Sequence, residues 1–282
     1  MDPTAFATTV EVGDYTFDVT TAGPADGAPV LMLHGFPETA ACWRPITPLL
    51  TAAGLRVIAP SQRGYSAGAR PVGVEHYGIA NLVGDAVGLL DTLGIESAHL
   101  VGHDWGAAVA WVVAAGHPDR VRTLTAVSVP HPAAFGWALR EDEDQRQRSR
   151  YIGVFRHGDS AERALLADDA HRLRAVFGDV DPTQVAEHVR TLAEPGALTA
   201  ALSWYRAMGR EFGDIAPVTV PTTYVWSNGD EALGRAGAER CGEFVDAPYR
   251  FVELDGISHW IPEQAPGALA DAVLARIEGN GK

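Results

Sequence analysis

An aspartate, Asp104, lies between two glycines in the segment Gly102-His103-Asp104-Trp105-Gly106. The order small residue, any residue, nucleophile, any residue, small residue is typical of a tight turn that exposes a reactive side chain between a strand and a helix. Esterases place serine there, whereas a carboxylate is already ionised at neutral pH and attacks without a base. It can form an alkyl ester at a saturated carbon, which water then hydrolyses. We therefore predict covalent catalysis by Asp104, because a simple helix cap, the alternative role, does not require both glycines.

A base for the hydrolytic step is expected after the nucleophile, because hydrolases with this turn follow the order nucleophile, acid, histidine. His259 lies in the segment Gly256-Ile257-Ser258-His259-Trp260, directly after the last predicted strand. It is the one histidine that follows His188 in the sequence. We predict that His259 activates water. The alternative interpretation is a surface histidine in a loop.

The acid of such a triad should follow the preceding strand, which is predicted to end at Ser227. Asp230 follows it in the segment Ser227-Asn228-Gly229-Asp230 and is the candidate. A carboxylate there would hold the imidazole tautomer and stabilise its charged form. Glu231 is the near rival, and Asp246 and Asp255 are less well placed. Asn-Gly-Asp is also a good turn sequence, and both roles are compatible.

Two backbone amides are predicted to stabilise the oxyanion that forms when water attacks an ester. One belongs to Phe36, in the segment His34-Gly35-Phe36-Pro37 after the third predicted strand. The other belongs to Trp105, directly after the nucleophile. An ordinary turn would explain the glycine and the proline of this segment but not its position.

The elements that must position these residues are predicted from hydrophobic patterns. Short apolar or alternating runs predict eight strands, at residues 8–12, 15–20, 29–33, 55–59, 98–101, 121–129, 222–227 and 250–254. Apolar residues at helical spacing predict helices at residues 43–53, 79–93, 105–115 and 265–277. Strands that alternate with helices indicate an α/β fold, with a mostly parallel sheet and helices on both faces.

The alternation stops between about residues 130 and 217, where the sequence is charged and helical and has no buried-strand run. We predict a core domain of residues 1–130 and 217–282, with residues 131–216 inserted as a helical cap. The charge run Arg140-Glu141-Asp142-Glu143-Asp144 is interpreted as a solvated helix end. Ligands of open α/β sheets bind at the carboxyl edge, which such a cap would cover.

Composition restricts the partners. The formal net charge is −14, which argues against nucleic acids and anionic membranes because both bind basic surfaces. Two cysteines, Cys42 and Cys241, form neither a disulfide framework nor a zinc motif, so no metal or other cofactor is expected. The N-terminus lacks a signal-peptide pattern. We expect a cytoplasmic protein that binds a small molecule, as a monomer or a homodimer.

These segments resemble the α/β-hydrolase-fold epoxide hydrolases, soluble enzymes with an aspartate nucleophile, over nearly the whole chain. His34-Gly35-Phe36-Pro37-Glu38 is similar to their HGxP loop, in which the bond before proline is typically cis. Arg63-Gly64-Tyr65-Ser66 is similar to their RGYG segment, with Ser66 in place of the usual glycine. The nucleophile turn and the histidine loop match as well. The resemblance implies that water and a small apolar epoxide react to form a vicinal diol.

The resemblance also implies two cap tyrosines that bind the epoxide oxygen. Tyr151-Ile152-Gly153-Val154-Phe155 is similar to the segment that holds the first, and Ser203-Trp204-Tyr205-Arg206 to the segment that holds the second. An opened epoxide leaves an alkoxide, which is a poor leaving group without an acid. Two phenols, Tyr151 and Tyr205, can hydrogen-bond this oxygen, and one can donate its proton. Core packing is the alternative role for either tyrosine.

Three other functions compete. Haloalkane dehalogenases share the fold and the aspartate, and Trp105 fits one of their halide-binding ring N–H groups. They usually carry a polar residue where this chain has Phe36, and they need no tyrosine pair. Haloacid-processing relatives place arginine where this chain has Trp105 and Ala108, so a carboxylate clamp is missing. A non-catalytic ligand-binding protein with this fold is the remote alternative.

Overall fold

The structure, a computed structural model, describes residues 6–158, 160–209 and 215–279. Its strands are β1 (Phe6–Val12), β2 (Tyr15–Ala22), β3 (Ala28–Leu33), β4 (Leu55–Pro60), β5 (Ala98–His103), β6 (Val121–Val127), β7 (Thr222–Ser227) and β8 (Tyr249–Leu254). They form one sheet in the order β1-β2-β4-β3-β5-β6-β7-β8. Strand β2 is antiparallel to both neighbours, and the other pairs are parallel. The predicted α/β fold with a mostly parallel sheet is confirmed.

The α-helices of the described residues are α1 (Thr47–Ala52), α2 (Ile79–Thr92), α3 (Trp105–Gly116), α4 (Pro132–Glu141), α5 (Glu143–Arg148), α6 (Arg150–Arg156), α7 (Ser160–Ala175), α8 (Pro182–Leu192), α9 (Ala197–Ala207), α10 (Arg235–Arg240), α11 (Ile261–Gln264) and α12 (Pro266–Gly279). No helix in the described part of the chain is both long enough and apolar enough to cross a membrane.

Both faces of the sheet are buried, which explains the continuous apolar sequence of β3. Val30 and Met32 belong to the core on the side of α1 and α12, whereas Leu31 and Leu33 belong to the core on the side of α2 and α3. Successive side chains of a strand point to opposite faces, so a strand covered on both sides needs apolar residues at every position.

One helix begins later than its sequence pattern predicts. The sequence predicts a helix from Trp43, but Trp43 ends a short 3-10 turn (Ala40–Trp43) and α1 begins at Thr47. A continuous helix from Trp43 would place Pro48 in its interior, where proline cannot donate to the carbonyl four residues earlier. Starting at Thr47 places Pro48 in the first turn, where its missing N–H costs nothing.

Helices α4 to α9 follow one another between β6 and β7, and the described residues of this region contain no strand. Helix α4 ends at Glu141 and α5 begins at Glu143, so the acidic run lies at a helix junction. Asp142 caps α5, because its carboxylate accepts a hydrogen bond from the amide of Gln145. The extent of a separate cap, residues 131–216, stays a prediction.

Candidate active site

Asp104 lies at the sharp turn between β5 and α3, at φ 50° and ψ −121°. Positive φ is unfavourable for a residue with a side chain, so neighbouring packing must hold this conformation. A methyl group on Gly106 would overlap the carbonyl oxygen of Leu33, and one on Gly102 would overlap the carbonyl of Gly106. Both glycines are therefore needed for the close approach of α3 to the sheet.

The carboxylate of Asp104 is held on two sides. Its Oδ1 accepts a hydrogen bond of 2.8 Å from the amide of Phe36, as expected for the loop after β3. Its Oδ2 lies 3.5 Å from Nε2 of His259. Trp105, the other predicted amide donor, is the first residue of α3. The N-terminus of a helix favours negative charge, so the position suits both a carboxylate and an oxyanion. The Phe36-Pro37 bond is cis.

His259 contacts the acid that its loop position predicts. Nδ1 of His259 lies 2.8 Å from Oδ2 of Asp230, and both side chains are buried. The other oxygen of Asp230 accepts hydrogen bonds from the amides of Ala232 and Leu233, at 2.8 and 2.9 Å. Two backbone amides and one imidazole thus hold the carboxylate of Asp230, so its rotamer is well defined. The rival Glu231 is exposed, and Asp255 binds the amide of Asn228 instead.

Electrostatics favour an ion pair between these residues. Burial alone would lower the pKa of His259, but the charge of Asp230 and hydrogen bonds to Asp104 and Asp230 raise it well above its ordinary value. Burial would raise the pKa of Asp230, but the interaction with His259 and two backbone hydrogen bonds hold it below its ordinary value. An ion pair between protonated His259 and ionised Asp230 is therefore favoured.

The two tyrosines predicted from the cap lie together above the nucleophile. Tyr151 is on α6 and Tyr205 on α9, with ring centroids 6.2 Å apart and planes at 79°. Both line the same cavities as Asp104. Burial is the main cause that raises the pKa of both phenols above the ordinary value, with Asp104 adding to it. Both hydroxyl groups are therefore protonated and can donate hydrogen bonds at neutral pH.

Helix α9 is fixed to the core by the residue next to Tyr205. The indole of Trp204 donates a 3.0 Å hydrogen bond to the carbonyl of Arg63, in the RGYG-like segment. The guanidinium of Arg63 in turn binds both oxygens of Asp85 on α2, at 2.6 and 2.5 Å. On the other side, Arg206 binds both carboxylate oxygens of Glu162 on α7. These contacts position Tyr205 over Asp104.

A buried pair behind the nucleophile has no counterpart in the sequence predictions. Nδ1 of His103 lies 2.7 Å from Oε2 of Glu38, and Nε2 lies 2.9 Å from the backbone carbonyl of His259. The same Glu38 oxygen accepts a hydrogen bond from the amide of Gly35. The pair thus connects the Phe36 loop, the nucleophile turn and the histidine loop. Glu38 lies in the HGxP-like loop and His103 in the turn that contains Asp104, but nothing in the sequence indicates that the two residues are paired.

A second buried carboxyl, Glu263 on α11, extends this cluster. It interacts directly with Glu38, and its Oε1 lies 3.4 Å from Nε2 of His188. Burial and the charge of Glu38 raise the pKa of Glu263 well above its ordinary value. Burial would also raise the pKa of Glu38, but interactions with His103 and His188 lower it to about 2. One proton is thus kept between two carboxyl groups, because like charges in a buried site do not both ionise.

Two cavities meet at the predicted catalytic groups. The larger measures about 460 Å³ and the smaller about 40 Å³. Both are lined by Asp104, Tyr151 and Tyr205. The larger also contains the imidazole of His259. A carboxylate, a histidine paired with a second carboxylate, and two phenols thus face one space that a small molecule can fill. The mostly parallel sheet and the strained turn after β5 define an α/β-hydrolase fold.

Comparisons with known proteins agree with this fold. The family model described as the alpha/beta hydrolase fold matches residues 28–266. The chain is 35% identical to epoxide hydrolase A of Mycobacterium tuberculosis, over 90% of this chain and 91% of that protein. It is 34% identical to the AB hydrolase superfamily protein YfhM of Bacillus subtilis, over 96% and 97%. The crystal structure of epoxide hydrolase A from Mycobacterium thermoresistibile superposes with a TM-score of 0.86 at 30% identity, over 98% and 99%. The chain therefore belongs to the epoxide hydrolase family of the α/β-hydrolase fold.

Proposed function

We propose that this protein hydrolyses a small apolar epoxide to a vicinal diol, through a covalent ester on Asp104. The observation that carries the proposal is the shared cavity, in which the carboxylate of Asp104 faces the phenols of Tyr151 and Tyr205. A nucleophile opposite two hydrogen-bond donors suits a strained ring, because one end of a C–O bond is attacked while the other gains negative charge. Family membership supports the same reaction.

The first step forms the ester. Oδ1 of Asp104 is held by the amide of Phe36, so Oδ2 is the oxygen that attacks. The Oδ2–carbon bond forms as the epoxide C–O bond breaks, and a proton from Tyr151 or Tyr205 moves to the epoxide oxygen. Burial keeps both phenols protonated, so the donor is in place at neutral pH. Asp104 needs no base for this attack.

The second step hydrolyses the ester. Water attacks Cγ of Asp104 and gives its proton to Nε2 of His259, and Oδ1 becomes the oxyanion beside the Phe36 amide. The tetrahedral intermediate then collapses and the bond between Cγ and Oδ2 breaks. Oδ2 takes the remaining proton of the attacking water, and the diol leaves with Oδ2. The carboxylate is restored with one oxygen from water.

The charge of Asp104 couples the two steps. His259 has a raised pKa partly because Asp104 is an anion beside it. The alkyl ester is neutral, so its formation removes this contribution and lowers the pKa of His259. The imidazole then releases its proton more readily, and that proton restores the phenol that was deprotonated in the first step. The neutral imidazole is then the base that water needs. Asp230 continues to orient it and to stabilise the imidazolium.

Residues 131–216 act in this proposal as a cap on a core of residues 1–130 and 217–282. Two of the proposed functional groups, Tyr151 and Tyr205, belong to α6 and α9 of this region. Asp104, His259 and Asp230 come from the turns after β5, β8 and β7. Such a division lets the core perform the chemistry while the cap shapes the substrate site.

A single turnover in heavy-oxygen water tests the ester. Enzyme in excess over a terminal epoxide should give diol that contains no label, because its new oxygen comes from Asp104. Repeated turnover should then place the label in Asp104, as peptide mass spectrometry can detect. Label in the diol of the first turnover would show that water attacks the epoxide directly. Bromoalkanes tested in parallel, with halide release measured, distinguish a dehalogenase.

A further inference from the structure

The two cavities that meet at Asp104 differ more than tenfold in volume, about 460 Å³ against about 40 Å³. Space for one water molecule requires a cavity volume of at least about 10–15 Å³. The small cavity therefore accommodates about three or four atoms the size of water, whereas the large one accommodates a bulky group. Because Asp104, Tyr151 and Tyr205 line both, a ring held by these residues borders both cavities.

The small cavity is apolar. Its remaining lining residues carry no charge: Trp105, Ala108, Val129, Phe135, Ile152, Met208 and Leu233. A polar or charged substituent would lose its hydration there without gaining a partner. Hydrogen, methyl or ethyl are the substituents that this volume and this surface accept.

Beyond Asp104 and His259, the large cavity combines apolar walls with two charged residues, Arg148 and Glu231. Phe155, Val176 and Trp260 supply apolar surface. The guanidinium of Arg148 already binds the carboxylate of Asp144 at 2.7 Å and the carbonyl of Asp230 at 2.6 Å. The carboxylate of Glu231 would repel an anion. A large neutral group therefore fits this cavity better than an acidic one.

We propose that the substrate is an epoxide with unequal substituents: a large neutral group on one ring carbon, in the large cavity, and hydrogen or a short alkyl group on the other carbon, in the small cavity. This inference rests on the proposed function and specifies the substrate class of the same site. Met208 and Leu233 determine the limit on the smaller substituent.

Three epoxides that share one phenyl group test the inference. Styrene oxide places hydrogen in the small cavity, trans-β-methylstyrene oxide places methyl, and trans-stilbene oxide would have to place a second phenyl. One methylene too many in an apolar pocket costs roughly 10–200-fold in kcat/KM. We therefore expect the first two to be hydrolysed at rates within about tenfold of each other, and the third at least about 100-fold more slowly.

Variants of the small cavity test which side chains limit the size of the smaller substituent. Met208→Ala and, independently, Leu233→Ala enlarge the small cavity, and each should raise kcat/KM for trans-stilbene oxide relative to styrene oxide by roughly tenfold or more. Leu233→Ala keeps the backbone amide that binds Asp230. Val176→Ala, which removes a similar volume from the large cavity, is the matched control and should leave this ratio at its wild-type value.

The outcomes are distinguishable. If the wild type forms no diol from any of the three epoxides or from a long-chain terminal epoxide, the proposed function itself is wrong. If it hydrolyses styrene oxide and trans-stilbene oxide equally well, the function stands and the substrate class is wrong. The third outcome is that Val176→Ala raises kcat/KM for trans-stilbene oxide relative to styrene oxide, while Met208→Ala and Leu233→Ala do not. In that result the two substituents occupy the opposite cavities, and the inference is overturned.

Discussion

Nδ1 of His259 lies 2.8 Å from Oδ2 of Asp230, and this buried contact helps to raise the pKa of the imidazole. The pKa of His259 is raised above its ordinary value despite burial, so the folded protein binds a proton that the unfolded chain releases near pH 6.5. The stability that this proton contributes is complete below about pH 6.5 and is lost as the pH rises through the folded pKa. Asp230, with a lowered pKa, has the opposite dependence, and its contribution is lost at acidic pH.

Replacement Asp230→Asn should lower the pKa of His259. The substitution removes the negative charge that raises this pKa and keeps the size of the side chain. We expect the imidazole signals of His259 to titrate at lower pH in an NMR experiment, with His259→Gln used to assign them. Turnover should fall as well, because the imidazolium of the second step loses its partner. An unchanged titration midpoint would show that Asp230 does not set the charge of His259.

Replacement His259→Gln should stop the reaction after the first step. Ester formation needs Asp104 and the phenols, whereas ester hydrolysis needs a base, whose removal typically costs roughly 10²–10⁴ in rate. The variant should therefore accumulate an adduct whose added mass equals one substrate, observed by intact-protein mass spectrometry. His157→Gln, at an exposed position, is the control and should show neither adduct nor loss of turnover. Full turnover by the His259 variant would exclude His259 as the base.

The buried carboxyl pair predicts different effects for two replacements of Glu263. Glu263→Gln keeps the shape and offers an amide hydrogen to Glu38, so folding at neutral pH should be retained. Glu263→Ala leaves a buried oxygen of Glu38 without a donor and should cost about 1–3 kcal/mol in the free energy of unfolding. Urea denaturation at neutral pH measures both. Equal stability of the two variants would show that Glu263 donates nothing to Glu38.

The same pair predicts a pH dependence. The pKa of Glu263 is raised in the folded protein, so its bound proton stabilises the fold. This stabilisation is complete below the unfolded pKa of about 4.3 and is lost as the pH rises through the folded pKa. The wild type should therefore lose stability towards alkaline pH more steeply than Glu263→Gln, which has no proton to lose. His259 contributes the same slope to both proteins and cancels in the comparison. Parallel curves would contradict a protonated Glu263.

The fold and the nucleophile turn were predictable because local geometry restricts residue types. The approach of α3 to the sheet admits only glycine at positions 102 and 106, so the geometry of the turn explains the two glycines of the motif. Parallel strands also bring the turns after β5, β7 and β8 to one edge, which is why a predicted order of strands placed Asp104, Asp230 and His259 near each other. Their catalytic roles stay predictions.

The buried cluster was not predictable for the opposite reason. Glu38 and His103 are 65 positions apart in the sequence, and the chain contains 10 histidines. Nothing in residue type or spacing indicates which of them meets Glu38, because the contact depends on how two loops pack against the sheet. The sizes of the two cavities likewise depend on side chains from both sides of the site. The late start of α1 follows from Pro48, which apolar spacing alone does not take into account.

Replacement of both cap tyrosines separates epoxide opening from halide displacement. Tyr151→Phe combined with Tyr205→Phe removes two hydroxyl groups that face the Asp104 cavity. Hydrogen bonds to the ring oxygen matter most as negative charge develops on it, and loss of one such donor typically costs roughly 10²–10³ in rate. One phenol can partly replace the other, so each single variant should lose less than the double variant.

The measurement is the rate of alkyl-enzyme formation before steady state, followed with an epoxide in the wild type and the double variant. Folding should be retained, because each change removes only a hydroxyl. Tyr249→Phe removes a hydroxyl on β8, outside both cavities, and should alkylate at the wild-type rate. A halide needs no proton to leave, so a dehalogenase would be far less sensitive to the double replacement. Unchanged alkylation of the double variant by an epoxide would show that Tyr151 and Tyr205 are not the acids, and that another group near Asp104 protonates the oxygen.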